Sequence, residues 1–174
     1  MNTLKREDII EQYFDKFGTG QKSMAASPQS IRYCANLIRE NGISSILDCG
    51  SGLSSALFHF QFKNVVTVDD DSFWAKMTQD FVKIVVGKEI SISTLSNMMN
   101  EKFDFIFYDY GDIETRIYYF KLVIFMTKKF IYLDDMHISY YYDYVTHILK
   151  NISHELIICT EDEFGRYGAL VKIG

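Results

Sequence analysis

Short apolar runs alternate with longer amphipathic segments along most of this chain. Four of the apolar runs end in an aspartate, and they cover residues 45–48, 65–69, 105–109 and 130–134. Runs of this length and content are typical of buried parallel strands. Residues 89–92 can supply one more short strand. Because these strands alternate with helices, the pattern predicts an α/β fold with a doubly wound sheet.

The segments between these runs carry apolar residues at helical spacing. The predicted helices cover residues 7–17, 28–40, a short stretch after Ser54, 73–85, 113–126 and 138–149. The second helix has the clearest boundaries, because Ser27 can cap it, Pro28 suits its first position and Asn41-Gly42 can end it. The expected buried face of the helix over 73–85 consists of Phe73, Met77, Phe81 and Ile84.

The last strands of the chain follow a different pattern. Residues 156–159 and 169–173 are apolar and are joined by a polar turn around Gly165, which indicates an antiparallel pair. The sequence therefore predicts a Rossmann-like, mostly parallel, seven-stranded sheet with an antiparallel C-terminal edge pair. We find no linker or repeat, so residues 1–174 are expected to form a single domain. Residues 1–27 would contribute an N-terminal helix and lid segment, and residues 28–174 the Rossmann-like core.

Composition narrows the class of partner. With 174 residues, 48% of them hydrophobic, the chain can bury one sizeable core. Its formal net charge of −5 provides no basic face for phosphates, so we expect no nucleic-acid partner. Cys34, Cys49 and Cys159 are widely spaced, which supports neither a disulfide framework nor a zinc ribbon. We expect a cytoplasmic monomer or homodimer with a small-molecule substrate and no membrane span.

A glycine-containing loop follows the first predicted strand. It reads Asp48-Cys-Gly50-Ser51-Gly52, and glycines at this position let the backbone approach a ligand. Asp69 ends the second strand, where a carboxylate can accept hydrogen bonds from both hydroxyls of a ribose. Together these features predict a nucleoside site.

The acid in the loop bears on which nucleoside is bound. A dinucleotide needs a third small residue for helix packing and places its pyrophosphate at the helix N-terminus, and Ser55 occupies that position here. S-adenosylmethionine has no phosphate and carries an ammonium and a sulfonium, so Asp48 suits it better.

With these residues the chain resembles the class I S-adenosylmethionine-dependent methyltransferases over roughly residues 28–174. The resemblance implies that the loop surrounds the methionine part of the cofactor, that Asp69 holds the ribose and that Ser93 lies near the adenine. Many members have a third glycine where this chain has Ser54. The full cofactor-binding set that we predict is Asp48, Gly50, Ser51, Gly52, Asp69, Asp70, Ser93 and Asp109.

These residues also have simpler interpretations. The glycine loop can be a tight strand-to-helix turn without a ligand, and residues 69–71 can be a solvated turn in which Asp71 or Ser72 caps the next helix. Tight turns alone do not require both Asp48 and Asp69, and this favours the nucleoside site.

Three further carboxylates follow the fourth and fifth predicted strands. Asp109, Asp134 and Asp135 would meet where an open parallel sheet binds its ligands. Clustered anions repel one another, and Mg²⁺, which prefers carboxylate oxygens, would compensate them. The arrangement resembles the metal-dependent O-methyltransferases of the catechol and sugar or macrolide types. That resemblance implies that the three acids hold a metal which lowers the pKa of a substrate hydroxyl.

His137 and Asp109 are the candidate catalytic residues of this second cluster. His137 can serve as a general base with or without a metal. Tyr110 can wall an acceptor pocket, whereas Arg116 is most simply a helix-surface residue. In the simpler interpretation, Asp109 is a turn residue and the acidic pair caps the helix over 138–149.

The function that these patterns favour is methyl transfer from S-adenosylmethionine to a hydroxyl oxygen of a small molecule. Two alternatives remain, a non-catalytic methyltransferase-like binding subunit and an NAD-dependent oxidoreductase. Enzymes that methylate amino groups of nucleic acids resemble this family but carry an Asp/Asn-Pro-Pro-aromatic motif. This chain has Asp109-Tyr-Gly-Asp112 at that place, so the sequence disfavours that class.

Overall fold

The computed structural model of the protein describes residues 4–150, 152 and 154–173. The six helices are α1 (Arg6–Phe17), α2 (Pro28–Glu40), α3 (Leu53–Gln61), α4 (Ser72–Phe81), α5 (Ile113–Met126) and α6 (Ser139–Leu149). The seven strands are β1 (Ile46–Cys49), β2 (Val65–Val68), β3 (Ile92–Ser93), β4 (Phe103–Tyr108), β5 (Thr127–Leu133), β6 (His154–Glu161) and β7 (Tyr167–Ile173). Short 3₁₀ segments cover Thr19–Ser23 and Leu95–Met98.

All seven strands form one sheet in the order β3-β2-β1-β4-β5-β7-β6. Strands β1 to β5 are parallel, and β7 runs antiparallel to both β5 and β6. This confirms the predicted doubly wound, mostly parallel sheet with an antiparallel pair at one edge. The third strand is shorter than the predicted 89–92 and lies further along the chain, since only Ile92 and Ser93 pair with β2.

The two faces of the sheet bury separate hydrophobic cores. One face packs against α1, α2, α3 and the end of α4, and the other packs against α5 and α6. Side chains alternate along each strand, so Ile46 of β1 faces the first group of helices and Leu47 faces the second. Both faces are covered, as parallel sheets require.

The N-terminus of α2 forms as predicted. Ser27 Oγ accepts a hydrogen bond from the backbone N–H of Ser30 at 3.0 Å, and Pro28 follows at the first helical position. After α2, Gly42 has a φ of 57°, where glycine avoids the strain of a side chain.

The buried face of α4 differs from the prediction. Phe73 is 72% exposed and Ile84 is 74% exposed, whereas Ala75, Thr78 and Phe81 are buried. The α-helix ends at Phe81, and residues Val82–Val86 form a π-helical turn. A π-helical turn holds more residues than an α-helical one, so Ile84 rotates away from the core.

The parallel strands end in register at one edge of the sheet. Cys49 of β1 pairs with Val68 of β2 and with Tyr108 of β4, and Tyr108 pairs with Leu133 of β5. The residues that directly follow these four strands therefore lie side by side. No helix in the described part of the chain combines the length and the hydrophobicity that a membrane span requires.

Candidate functional site

A cavity of about 400 Å³ opens at this edge of the sheet. The loop after β1, the acids after β2 and the residues after β4 line one side, and α1 and the segment after it line the other. Its lining residues include Tyr13, Gln21, Met24, Gly50, Ser51, Gly52, Asp69, Asp70, Asp71, Trp74, Asp109, Gly111 and Arg116. A pocket of this size can accept a small ligand.

Gly50 brings the loop after β1 against the backbone that follows β4. Its φ is 95°, in the region that favours glycine. A Cβ atom at this position would lie 1.9 Å from the carbonyl oxygen of Asp109. Only glycine fits here, so the loop and the segment after β4 form one packed unit.

Asp69 lies directly beyond β2 and holds the glycine loop. Its Oδ2 accepts hydrogen bonds from the backbone N–H of Ser51 at 2.6 Å and from Ser51 Oγ at 2.5 Å. Its Oδ1 accepts one from the backbone N–H of Asp71 at 2.9 Å. A carboxylate offers about four acceptor positions and three are occupied here, so Asp69 has one position left for a ligand.

Asp48 lies beneath the loop and does not line the cavity. Its side chain is fully buried, and Oδ2 accepts hydrogen bonds from Ser55 Oγ at 2.6 Å and Thr67 Oγ1 at 3.2 Å. Oδ1 has no hydrogen-bond partner among the described residues. Burial raises the pKa of Asp48 to about 7, although its hydrogen bonds to serine and threonine hydroxyls oppose that rise. The carboxyl group therefore supports the loop through its hydrogen bonds with Ser55 and Thr67 and does not face the cavity.

Two aromatic residues that the sequence did not single out cover the loop. Trp74 Nε1 donates a hydrogen bond to the carbonyl oxygen of Ser51 at 2.7 Å. A Cβ at Gly52 would lie 3.1 Å from Tyr13 Oη, and Phe17 packs against the Trp74 ring at 5.2 Å between centroids. Helices α1 and α4 thus hold the loop through tertiary contacts, which no local sequence motif predicts.

The segment of residues 18–27, which we call the N-terminal strap, borders the cavity through residues 21 and 24–26. Arg166, from the turn between β6 and β7, donates hydrogen bonds to the carbonyl oxygens of Lys22 and Ala25 at 3.1 and 3.3 Å. A second groove, of about 690 Å³, lies along the strap against α1. That groove has neither the glycine loop nor the acids after β2 and β4, so the chemistry of the site points to the smaller cavity.

Asp109, Asp134 and Asp135 come together as the sequence predicts. One carboxylate oxygen of each lies within 4.8 Å of the others. Arg116 joins them: Nη2 lies 2.5 Å from Asp109 Oδ1, and Nη1 lies 2.9 Å from Asp135 Oδ2. The side chain of Arg116 is only 7% exposed, so its interpretation as a helix-surface residue was wrong. It reaches back from α5 to the ends of β4 and β5.

Burial dominates the electrostatics of this carboxylate cluster. It raises the pKa of Asp109 well above its ordinary value, while Arg116 opposes that rise. It also raises the pKa of Asp134 to about 6, with a further contribution from the neighbouring Asp135. The guanidinium of Arg116 pairs with two of the three carboxylates, so the cluster carries excess negative charge when all three are ionised.

His137 and Tyr141 border the same cluster. His137 Nδ1 lies 3.8 Å from Asp135 Oδ1, and its ring packs against Tyr167 at 6.3 Å between centroids. Neither His137 Nδ1 nor Tyr141 Oη, both buried, has a hydrogen-bond partner in the described part of the chain.

The remaining predicted residues fall in different places. Asp70 lines the cavity, and burial raises its pKa. The backbone of Ser93 accepts a hydrogen bond from the N–H of Asp69, and its hydroxyl accepts one from Asn97, outside the cavity lining. Tyr110 was predicted as a pocket wall, but it is buried in the core, where its hydroxyl accepts a hydrogen bond from the N–H of Leu95. The reason is that its ring packs against Tyr119 on α5.

The chain is similar to known proteins in its structure and not in its sequence. No family model matches the chain, and no curated protein matches its sequence. An O-methyltransferase from Bacillus cereus in complex with S-adenosylhomocysteine aligns with a TM-score of 0.68 and 16% identity, over 97% of this chain and 89% of that chain. The O-methyltransferase TomG from Streptomyces achromogenes, in complex with S-adenosylmethionine, aligns with a TM-score of 0.68 and 13% identity, over 99% and 90% of the two chains.

A methyltransferase from Podospora anserina with bound S-adenosylhomocysteine gives a TM-score of 0.71 and 12% identity, over 100% of this chain and 90% of that chain. Each of these likenesses extends over nearly the whole chain, at an identity that establishes the fold alone. The chain therefore has the fold of the class I S-adenosylmethionine-dependent methyltransferases.

Proposed function

We propose that this protein is an S-adenosylmethionine-dependent methyltransferase that acts on a hydroxyl oxygen of a small molecule. One observation carries the proposal: the glycine loop and Asp69 meet at a cavity beyond the ends of β1 and β2. Open parallel sheets bind ligands at this edge. Structural neighbours with the same fold were solved with S-adenosylmethionine or S-adenosylhomocysteine bound.

The charge of the cavity supports the methyl donor over a dinucleotide. Four carboxylates line it, those of Asp69, Asp70, Asp71 and Asp109, against the single guanidinium of Arg116. This negative surface attracts an ammonium and a sulfonium and repels a pyrophosphate. An NAD-dependent oxidoreductase is disfavoured for that reason.

The residues around the loop receive distinct roles in this proposal. Asp69 would accept a hydrogen bond from one ribose hydroxyl through its remaining acceptor position and from the other in place of the Ser51 hydroxyl, while the backbone N–H of Ser51 keeps the carboxylate oriented. Gly50 and Gly52 let the backbone approach the methionine part, and Asp48 supports the loop from below. Ser93, at the end of β3, is assigned to the adenine side.

The carboxylate cluster would receive the acceptor. When bound, S-adenosylmethionine supplies a methyl group whose bond to sulfur breaks as the acceptor oxygen takes the methyl, leaving the electron pair on sulfur. We assign His137 as the base that accepts the proton of the acceptor hydroxyl, because its imidazole adjoins Asp135 and is partly exposed. Asp109, held by Arg116, would position the hydroxyl.

The carboxylates suit Mg²⁺ only in part. Three acids within 4.8 Å of one another could supply oxygen ligands. Two of the three, however, already share a buried guanidinium, and Mg²⁺ demands near-ideal octahedral geometry. This mismatch argues against a metal in the cluster, and no step of the proposed reaction depends on one. The cytoplasmic location and the monomeric or dimeric state remain predictions.

Calorimetric titration with S-adenosylhomocysteine tests the proposal. We expect the wild-type protein to bind, and Asp69→Asn to bind about 30-fold more weakly or worse, since hydrogen bonds to a charged group contribute about 2 kcal/mol. Asp71→Asn is the matched control. It removes the same charge from the cavity wall, and asparagine can still cap α4 as Asp71 does.

Equal weakening in both variants would mean that Asp69 acts only through charge. Tight binding of NAD with no binding of S-adenosylhomocysteine would reject the proposal. Binding of S-adenosylhomocysteine that is insensitive to Asp134→Ala and Asp135→Ala, with no turnover on hydroxyl compounds, would instead favour a non-catalytic subunit.

A further inference from the structure

We propose that Arg116 is the permanent cation of the carboxylate cluster, so that the acceptor site operates without a divalent metal. The role of the site as an acceptor site rests on the proposed function. The exclusion of metal rests on the geometry of Arg116 and of the side chains around it, and it is tested separately.

Arg116 is held in place by the start of its own helix. Asp112 caps α5, and its Oδ1 accepts a hydrogen bond from the backbone N–H of Thr115 at 2.8 Å. Arg116 follows within the first turn, where its side chain can reach the ends of β4 and β5. Its Nη2 also donates to the carbonyl oxygen of Gly111 at 3.3 Å. The planar guanidinium thus contacts three oxygens in a fixed fork geometry.

The backbone conformation of Asp135 directs its carboxylate to this guanidinium. Asp135 has a φ of 55°, which is uncommon for a residue other than glycine, although aspartate tolerates it better than most. Its Oδ2 lies 2.9 Å from Arg116 Nη1. A divalent ion among the three carboxylates would therefore lie within a few ångströms of a buried positive charge. Coulomb repulsion between the two cations offsets part of the attraction of the three carboxylates, and Asp109 and Asp135 each already direct one oxygen to the guanidinium.

Unpaired donors around the cluster give a second, independent indication. Arg116 Nε–H and the hydroxyl of Tyr141 are buried, and neither finds a hydrogen-bond partner among the residues that the structure describes. Tyr141 lies in the first turn of α6, six residues after Asp135, and its side chain is fully buried. Arg116 Nε–H cannot ligate a cation, whereas both unpaired donors can form a hydrogen bond to an oxygen atom. They fit the oxygen of an acceptor, on which the guanidinium would stabilise developing negative charge.

The test is a titration with Mn²⁺ followed by electron paramagnetic resonance. We expect the wild-type protein to leave Mn²⁺ free, whereas Arg116→Gln should bind it at least about a hundredfold more tightly, because a charge that repels the ion is removed. Arg116→Lys keeps the charge and should exclude Mn²⁺ as the wild type does. Lys121→Gln removes an exposed charge from the same helix and should also behave as wild type.

The double variant Arg116→Gln/Asp134→Asn should lose the gained Mn²⁺ affinity, which assigns the ion to the cluster. Tight Mn²⁺ binding by the wild-type protein would overturn the inference, and that measurement needs no variant to fold. Failure of a folded Arg116→Gln to gain affinity would also overturn it. Folding is checked by thermal melting, and S-adenosylhomocysteine titration of the same samples reports the proposed function separately.

Discussion

The cavity has two halves that are organised by different forces. At the ends of β1 and β2, a short loop is fixed by glycine geometry and by hydrogen bonds between Asp69 and Ser51. At the ends of β4 and β5, buried charges are gathered around Arg116, which comes from a helix. Backbone geometry fixes the first half, and interactions between buried charges fix the second. Added side-chain volume at the glycines should therefore disrupt the first half, and changes of charge around Arg116 the second.

The two halves meet at Gly50, and the largest effect is expected there. Gly50→Ala would place a Cβ 1.9 Å from the carbonyl oxygen of Asp109 and would also strain the backbone at a φ of 95°. We expect it to lower the free energy of unfolding by about 5 kcal/mol or more and to abolish binding of S-adenosylhomocysteine. Urea unfolding and calorimetry measure the two quantities.

Gly87→Ala is the matched control. Gly87 also has a positive φ, of 74°, but a Cβ there would meet nothing within 4 Å. It should cost about 1 kcal/mol of stability, from backbone strain alone, and leave ligand binding unchanged. If Gly50→Ala and Gly87→Ala have the same free energy of unfolding and the same ligand affinity, close packing at Gly50 does not join the halves.

A pH-dependent effect is expected beneath the loop, at Asp48. Its pKa rises from an ordinary 3.8 to about 7. At about 1.36 kcal/mol per pKa unit, folding makes protonation of Asp48 more favourable by about 4 kcal/mol. The folded protein therefore binds the proton more tightly than the unfolded chain. Between about pH 4 and pH 7 the folded state holds more protons, so the free energy of unfolding falls as the pH rises through this window.

Asp48→Asn keeps hydrogen-bond acceptance from Ser55 and removes the titration. Urea unfolding at a series of pH values should show a shallower loss of stability in this variant than in the wild type. Asp143→Asn, at an exposed position on α6, should keep the wild-type slope. Parallel slopes for Asp48→Asn and the wild type would show that Asp48 is ionised in the folded protein across this range.

Sequence alone predicted the first half better than the second. Strand order, the loop after β1 and the location of Asp69 follow from periodicity and from the shared edge of parallel strands. The covering residues Tyr13 and Trp74 were missed, because they reach the loop from α1 and α4 through tertiary packing. Asp48 was expected near the ligand, whereas alternation along β1 turns it toward α3.

In the second half, the pattern located the three carboxylates but not their partner. Arg116 lies on a helix whose apolar residues extend around most of its surface, so no polar face marks which side is buried. The sequence indicated a compensating cation, and Mg²⁺ was the candidate because it prefers carboxylate oxygens and because the arrangement resembles the metal-dependent O-methyltransferases. Whether a buried acidic cluster recruits an arginine or a metal depends on long-range packing, which a single sequence does not reveal.

The smallest expected effect is a difference in stability between variants of two buried tyrosines of the second half, Tyr108 and Tyr141. Tyr108 donates a hydrogen bond to the carbonyl oxygen of Arg116 at 2.9 Å, whereas the hydroxyl of Tyr141 has no partner in the described ranges. Tyr108→Phe should therefore lower the free energy of unfolding by about 1 kcal/mol, and Tyr141→Phe should leave it unchanged or raise it by about 1 kcal/mol. Urea unfolding of both variants provides the comparison. Equal destabilisation would mean that Tyr141 is satisfied within the protein, and it could then no longer be counted as a donor for the acceptor oxygen.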